Sequence, residues 1–207
     1  MNPESFEKKL YDPKDIEDVP NTRALELIRE IEGKFNGNPA FVGIVPRGSM
    51  VHGYSTEKSD LDILVLFDSS KIQTNIDDKS FQRDYIERGV QFFFLNINPS
   101  LVIHDLELDP DKDGGPIRNL AALTEMVTGD KVSGYRERIG EKFSELPAES
   151  KAKIKKRVID LLMDKENYSA KKIAHRIPNL EVEEEQLLLK RRRLWGDRFD
   201  RIWSREK

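Results

Sequence analysis

The stretch Gly48-Ser49-Met50-Val51-His52-Gly53-Tyr54-Ser55-Thr56-Glu57-Lys58-Ser59-Asp60-Leu61-Asp62 runs straight into Ile63-Leu64-Val65-Leu66-Phe67. A Gly-Ser turn comes first, then a polar loop, then two aspartates one residue apart at the head of an apolar run. Side chains of a strand alternate faces, so residues i and i+2 project the same way. Asp60 and Asp62 are therefore expected on one face, at one end of a strand apolar enough to be buried. Two carboxylates held side by side repel, and a cation between them relieves the repulsion. Magnesium suits such a pair: protein sites typically give it one or two carboxylates, with substrate phosphates and water completing the shell.

Upstream, Phe41-Val42-Gly43-Ile44-Val45 reads as the strand that delivers the Gly-Ser turn. The run from Val45 to Met50 resembles a thrombin-cleavage linker, but folded-looking sequence lies on both sides of it. A strand, Gly48-Ser49, ten residues and Asp60-Leu61-Asp62 inside a second strand is a pattern that resembles the nucleotidyltransferase superfamily. Within it, the chain is closest in feel to the small-molecule and minimal nucleotidyltransferases. Leu120 to Val132 (LAALTEMVTGDKV) is similar to the helix and Gly-x-x-Val turn that follow the catalytic sheet in the small-molecule branch.

The resemblance implies transfer of a nucleoside monophosphate from a nucleoside triphosphate (ATP or another NTP) to a hydroxyl of an acceptor, with release of pyrophosphate. A small-molecule acceptor is the expected one. Asp60 and Asp62 would be the catalytic metal ligands, holding Mg2+, two ions in the family's chemistry. Gly48 and Ser49 would hold the triphosphate, since glycine admits a close backbone approach and successive N–H groups in a turn form an anion-binding hollow. The family's third carboxylate belongs on the next strand, Val90 to Ile97, where the matching position holds Gln91. An amide accepts a hydrogen bond but is no general base near neutral pH. Asp84, Glu87, Asp105, Glu107 or His104 could substitute in space. The alternatives stay open: a nucleotidyltransferase acting on RNA or protein, or a catalytically silent nucleotide-binding or interaction module.

Composition narrows the classes. With no cysteine among 207 residues, disulfides and thiolate–zinc sites are excluded. His52, His104 and His175 are too scattered to form a histidine metal site. No apolar run reaches membrane-span length, and the first ten residues alternate acid and base rather than forming a signal peptide. A cytoplasmic location is the expectation. Residues 147–207 hold 17 basic and 11 acidic side chains, while the rest of the chain holds 18 and 27. The part with the aspartate pair is thus acidic and the tail basic, an asymmetry that can mark a nucleic-acid-binding appendage. Lys190-Arg191-Arg192-Arg193 would be its phosphate contacts, or would pair with Glu183, Glu184 and Glu185.

The expected fold is α+β: a small mixed β-sheet flanked by helices, as in the nucleotidyltransferase fold, followed by a helical C-terminal region. Residues 1–132 are expected to form the nucleotidyltransferase domain, with its N-terminal arm, and 133–207 the helical appendage. Asn21-Thr22 caps a helix with Leu25, Leu27, Ile28 and Ile31 as its apolar stripe, ended by Gly33 and Gly37. A short helix is expected at 81–87, a strand at 90–97 and another at 101–108. Residues 109–116 read as a turn. Helices follow at 117–128, 135–146, 151–164, 168–177 and 182–203, the last presenting Trp195, Phe199 and Trp203 on one packing face. The tail leaves room for a homodimer that completes the site.

Overall fold

The computed structural model describes residues 22–47, 51, 60–72, 79–108, 115–125, 127–174 and 184–204. Helix α1 (Thr22–Phe35) leads into strand β1 (Phe41–Arg47) and strand β2 (Leu61–Phe67). Helix α2 (Lys79–Ile86) precedes strand β3 (Val90–Asn96). Helices α3 (Pro99–Leu108), α4 (Pro116–Thr124), α5 (Val132–Glu145), α6 (Ala148–Ala174) and α7 (Glu184–Trp203) complete the chain. The sheet is mixed, in order β1-β2-β3, with β1 antiparallel and β3 parallel to the central β2. No helix among the described residues is long and apolar enough to cross a membrane.

Period-two alternation in β2 divides the core. Leu61, Ile63 and Val65 face Ala24, Leu27, Ile28 and Ile31 of α1 and Tyr85 of α2. Leu64 and Leu66 face the other way, into a cluster that draws on all five helices from α3 to α7. The expected packing stripe of α7 is there: Trp195, Phe199 and Trp203 are buried. This one cluster joins the sheet to the C-terminal helices, across the sequence division expected at residue 132.

The Gly-x-x-Val turn docks on the outer edge of β1. Thr128 and Ile44 exchange two backbone hydrogen bonds, each 3.0 Å. Contact this close needs glycine on both sides. A Cβ on Gly43 would collide with the Thr128 carbonyl oxygen and a Val132 methyl group. A Cβ on Gly129, whose φ is +131°, would lie 2.5 Å from the Val42 carbonyl oxygen. The Lys131 ammonium then ties the turn to the carbonyls of Asn38, Pro39 and Phe41.

Several elements differ from expectation. Residues 101–108 are a helix, not a strand. Asn98 accepts a bond from the Ser100 N–H at 3.0 Å, and Pro99 supplies a pre-set φ at the first helical position. Val102 and Leu106 are the buried pair, at helical spacing. Gly33 lies inside α1, which ends at Phe35. Helix α4 stops at Thr124 rather than 128, and every side chain in it except Arg118 is buried, so it is a core helix. The helices expected at 151–164 and 168–177 are one 27-residue helix, because no glycine or proline interrupts the run. The 109–114 part of the expected turn, and Asn21, lie outside the described residues.

Candidate functional site

The aspartate pair sits where β2 begins. Asp62 is half-buried in the strand, and Asp60 is exposed just before it. Arg47 and Asp62 are cross-strand partners, and so are Asp62 and Gln91. Partners in a ladder project to the same face, so Arg47, Asp62 and Gln91 form a polar row across all three strands. The Gln91 side-chain amide donates to an Asp60 carboxylate oxygen at 3.3 Å, which places Asp60 on that face too. Gly89, at φ 78°, turns the chain out of α2 into β3, and its carbonyl accepts from the Leu61 N–H at 2.9 Å. That bond sets the register that brings Gln91 opposite Asp62.

Farther along the same face lie Leu64 and Leu66, at the floor of the helical cluster. The row is therefore the open margin of a sheet face that the C-terminal helices cover. Phe93, two residues beyond Gln91 and opposite Leu64, remains half exposed.

Arg47 is held by a residue 78 positions away. Its Nε and Nη2 donate to the two carboxylate oxygens of Glu125, at 2.9 and 2.5 Å. Glu125 directly follows α4, and that helix end is pinned from two sides. Arg198 of α7 donates to the carbonyls of Thr124 and Glu125, at 2.6 and 2.9 Å. Arg136 of α5 donates to the carbonyls of Leu123 and Glu125, at 2.8 and 3.3 Å. The Trp203 indole N–H donates to the Thr124 hydroxyl at 2.9 Å. The last carbonyls of a helix carry partial negative charge and have no partner within it, so cationic donors fit there. Burial, with the Arg198 charge nearby, brings the Arg136 guanidinium down to about 10, so it stays protonated at neutral pH.

Gly48 and Ser49 lie outside the described residues; in the sequence they follow Arg47, the cross-strand partner of Asp62. Of the other acids considered, Asp84 is on α2, which packs on the opposite sheet face. His104 is exposed on helix α3. The side chains of Lys190 and Arg191 are outside the described set. Arg192 pairs with Asp160 of α6, and Arg193 is exposed. Lys153, Lys155 and Lys156 of α6 pair with Glu149, Asp200 and Asp160.

Sequence reading missed Arg47 and Glu125. Arg47 carried a signal, since it adjoins the Gly-Ser turn; Glu125 carried none, because only the tertiary fold brings it to β1. Two carboxylates with an amide beside them offer the hard oxygen donors that magnesium takes, and such a site draws its remaining ligands from phosphate and water. Among the described residues no group of three or more His, Cys, Asp or Glu side chains gathers as a metal cage. The chain matches no protein-family model, and neither a curated protein nor a solved structure is detectably similar to it.

Proposed function

We propose that this chain binds a nucleoside triphosphate at the open margin of its sheet and transfers the nucleoside monophosphate to a hydroxyl of a small molecule, releasing pyrophosphate. The observation that carries this is the shared face of Asp60, Asp62 and Gln91, at the strand end that comes after Gly48-Ser49 in the sequence. The resemblance of these residues to the nucleotidyltransferase pattern supplies the reaction class, and the mixed three-stranded sheet flanked by helices is compatible with that fold.

Each residue has a distinct task. Asp60 and Asp62 supply the carboxylates that would hold magnesium. Magnesium, when bound, neutralises the charge that builds on the phosphates during transfer. Gly48 and Ser49 would cradle the phosphate tail through backbone N–H groups and a hydroxyl. Gln91 holds Asp60 by a hydrogen bond and takes no proton. The acceptor hydroxyl therefore loses its proton to another group or to water, and turnover should be slow.

The test is magnesium-dependent pyrophosphate release from ATP, CTP, GTP and UTP in the presence of hydroxyl acceptors. Asp62→Ala is expected to lower release at least about 100-fold, the scale of losing several kcal/mol of charge stabilisation. Release that survives the substitution removes Asp62 from the mechanism. Nucleotide binding without release from any triphosphate would favour a silent binding module instead.

A further inference from the structure

Arg47 stands opposite Asp62 with its side chain partly exposed. Its contact with Glu125 is side-on and uses only Nε and Nη2. The second amino group, Nη1, makes no hydrogen bond among the described residues, and the side chain keeps 24% of its exposure.

Position and rigidity point the same way. Arg47 is the cross-strand partner of Asp62, so its guanidinium belongs to the same sheet face as the acid pair. Glu125 fixes the plane of its guanidinium, and Arg198 and Arg136 fix the backbone of Glu125. A planar guanidinium held in advance loses little freedom when it meets a phosphate, whose oxygens match its fork of donors.

We propose that Arg47 is a phosphate-binding residue of this site: Glu125 holds one edge of the guanidinium, and the Nη1 N–H groups donate to the phosphates of the bound triphosphate. This role rests on the nucleotide reading of the site.

The test is calorimetric binding of magnesium tripolyphosphate to the full chain and to Arg47→Gln, Glu125→Gln and Asp62→Asn, with the stability of each variant measured by urea unfolding. Arg47→Gln and Glu125→Gln break the same ion pair, so similar losses of stability are expected. Their binding should differ. Arg47→Gln should weaken tripolyphosphate about tenfold or more, the scale of a lost charge-assisted hydrogen bond. Glu125→Gln keeps the guanidinium and should lose less than about threefold on the same scale. Equal losses in the two variants, or unchanged binding in Arg47→Gln, would overturn the role of Arg47. If the native chain binds and only Asp62→Asn is weakened, Arg47 falls while the nucleotide site stands. If the native chain does not bind magnesium tripolyphosphate, both fall together.

Discussion

Asp62 and Asp68 lie six residues apart, at opposite ends of β2, in opposite surroundings. Asp62 is half-buried at the open margin. Asp68 is almost fully buried and satisfied within the protein: it accepts from the Ser70 N–H at 3.0 Å, the Ser70 hydroxyl at 2.6 Å and the Tyr135 phenol at 2.6 Å. Burial pushes the Asp68 carboxyl up, but the bonds from Ser70 and Tyr135 and the Lys71 charge outweigh it and hold the carboxyl below its ordinary value. A carboxyl depressed in the folded state stabilises the fold above its unfolded value, near ~3.9, and loses that contribution as pH falls through the folded value. Asp68→Asn should cost about 2 kcal/mol at pH 7, and the gap to the native chain should shrink as the pH drops below about 4. Urea titrations at pH 7 and in acid measure both; a gap independent of pH would place the contribution elsewhere. At this scale the sequence was informative where neighbours in the chain are neighbours in space. The i, i+2 rule put Asp60 and Asp62 on one face, and strand matching put Gln91 beside them. Glu125 was illegible, since nothing local links it to Arg47.

Elements were legible where their periodicity was clean and their ends were marked. The β2 run formed as read; in α1 Leu27, Ile28 and Ile31 are buried as read, but Ala24 and Phe35 complete the stripe rather than Leu25. Residues 101–108 were misread because Leu, Val and Ile suit strands, whereas the decisive signal was the preceding Asn98-Pro99, an N-cap followed by proline. The junction between β1 and the 127–129 segment shows another limit. Gly-x-x-Val was visible as a turn, but the sequence does not reveal that it closes a sheet edge. That closure leaves no space at Gly129. Gly129→Ala should destabilise the protein by about 3 kcal/mol, since the added methyl meets β1 backbone and the positive φ adds strain. Urea unfolding tests it; a loss below about 1 kcal/mol would mean that the edge yields easily.

At the scale of the molecule, three layers form: α1 and α2 on one face, the sheet in the middle, and α3 to α7 on the other face. In the first half of α6 the basic cluster is paired. Lys153, Lys155 and Lys156 each meet a carboxylate, two of them four residues away on the same helix. The C-terminal helices instead reach toward the site through Arg136 and Arg198, which anchor the end of α4 and, through Glu125, the arginine beside Asp62. Composition and helix count foretold a helical tail; its connection to the sheet margin depended on side chains brought together from β1, α4, α5 and α7.

The central claim is that Asp60 and Asp62 together hold a cation that meets a triphosphate. A crystal of the full chain soaked with manganese and a non-hydrolysable nucleoside triphosphate tests it most directly. The anomalous signal should show manganese about 2.1 Å from a carboxylate oxygen of each aspartate, near the octahedral magnesium distance, with the phosphates on its other side. Manganese bound with the triphosphate but away from both aspartates would contradict it.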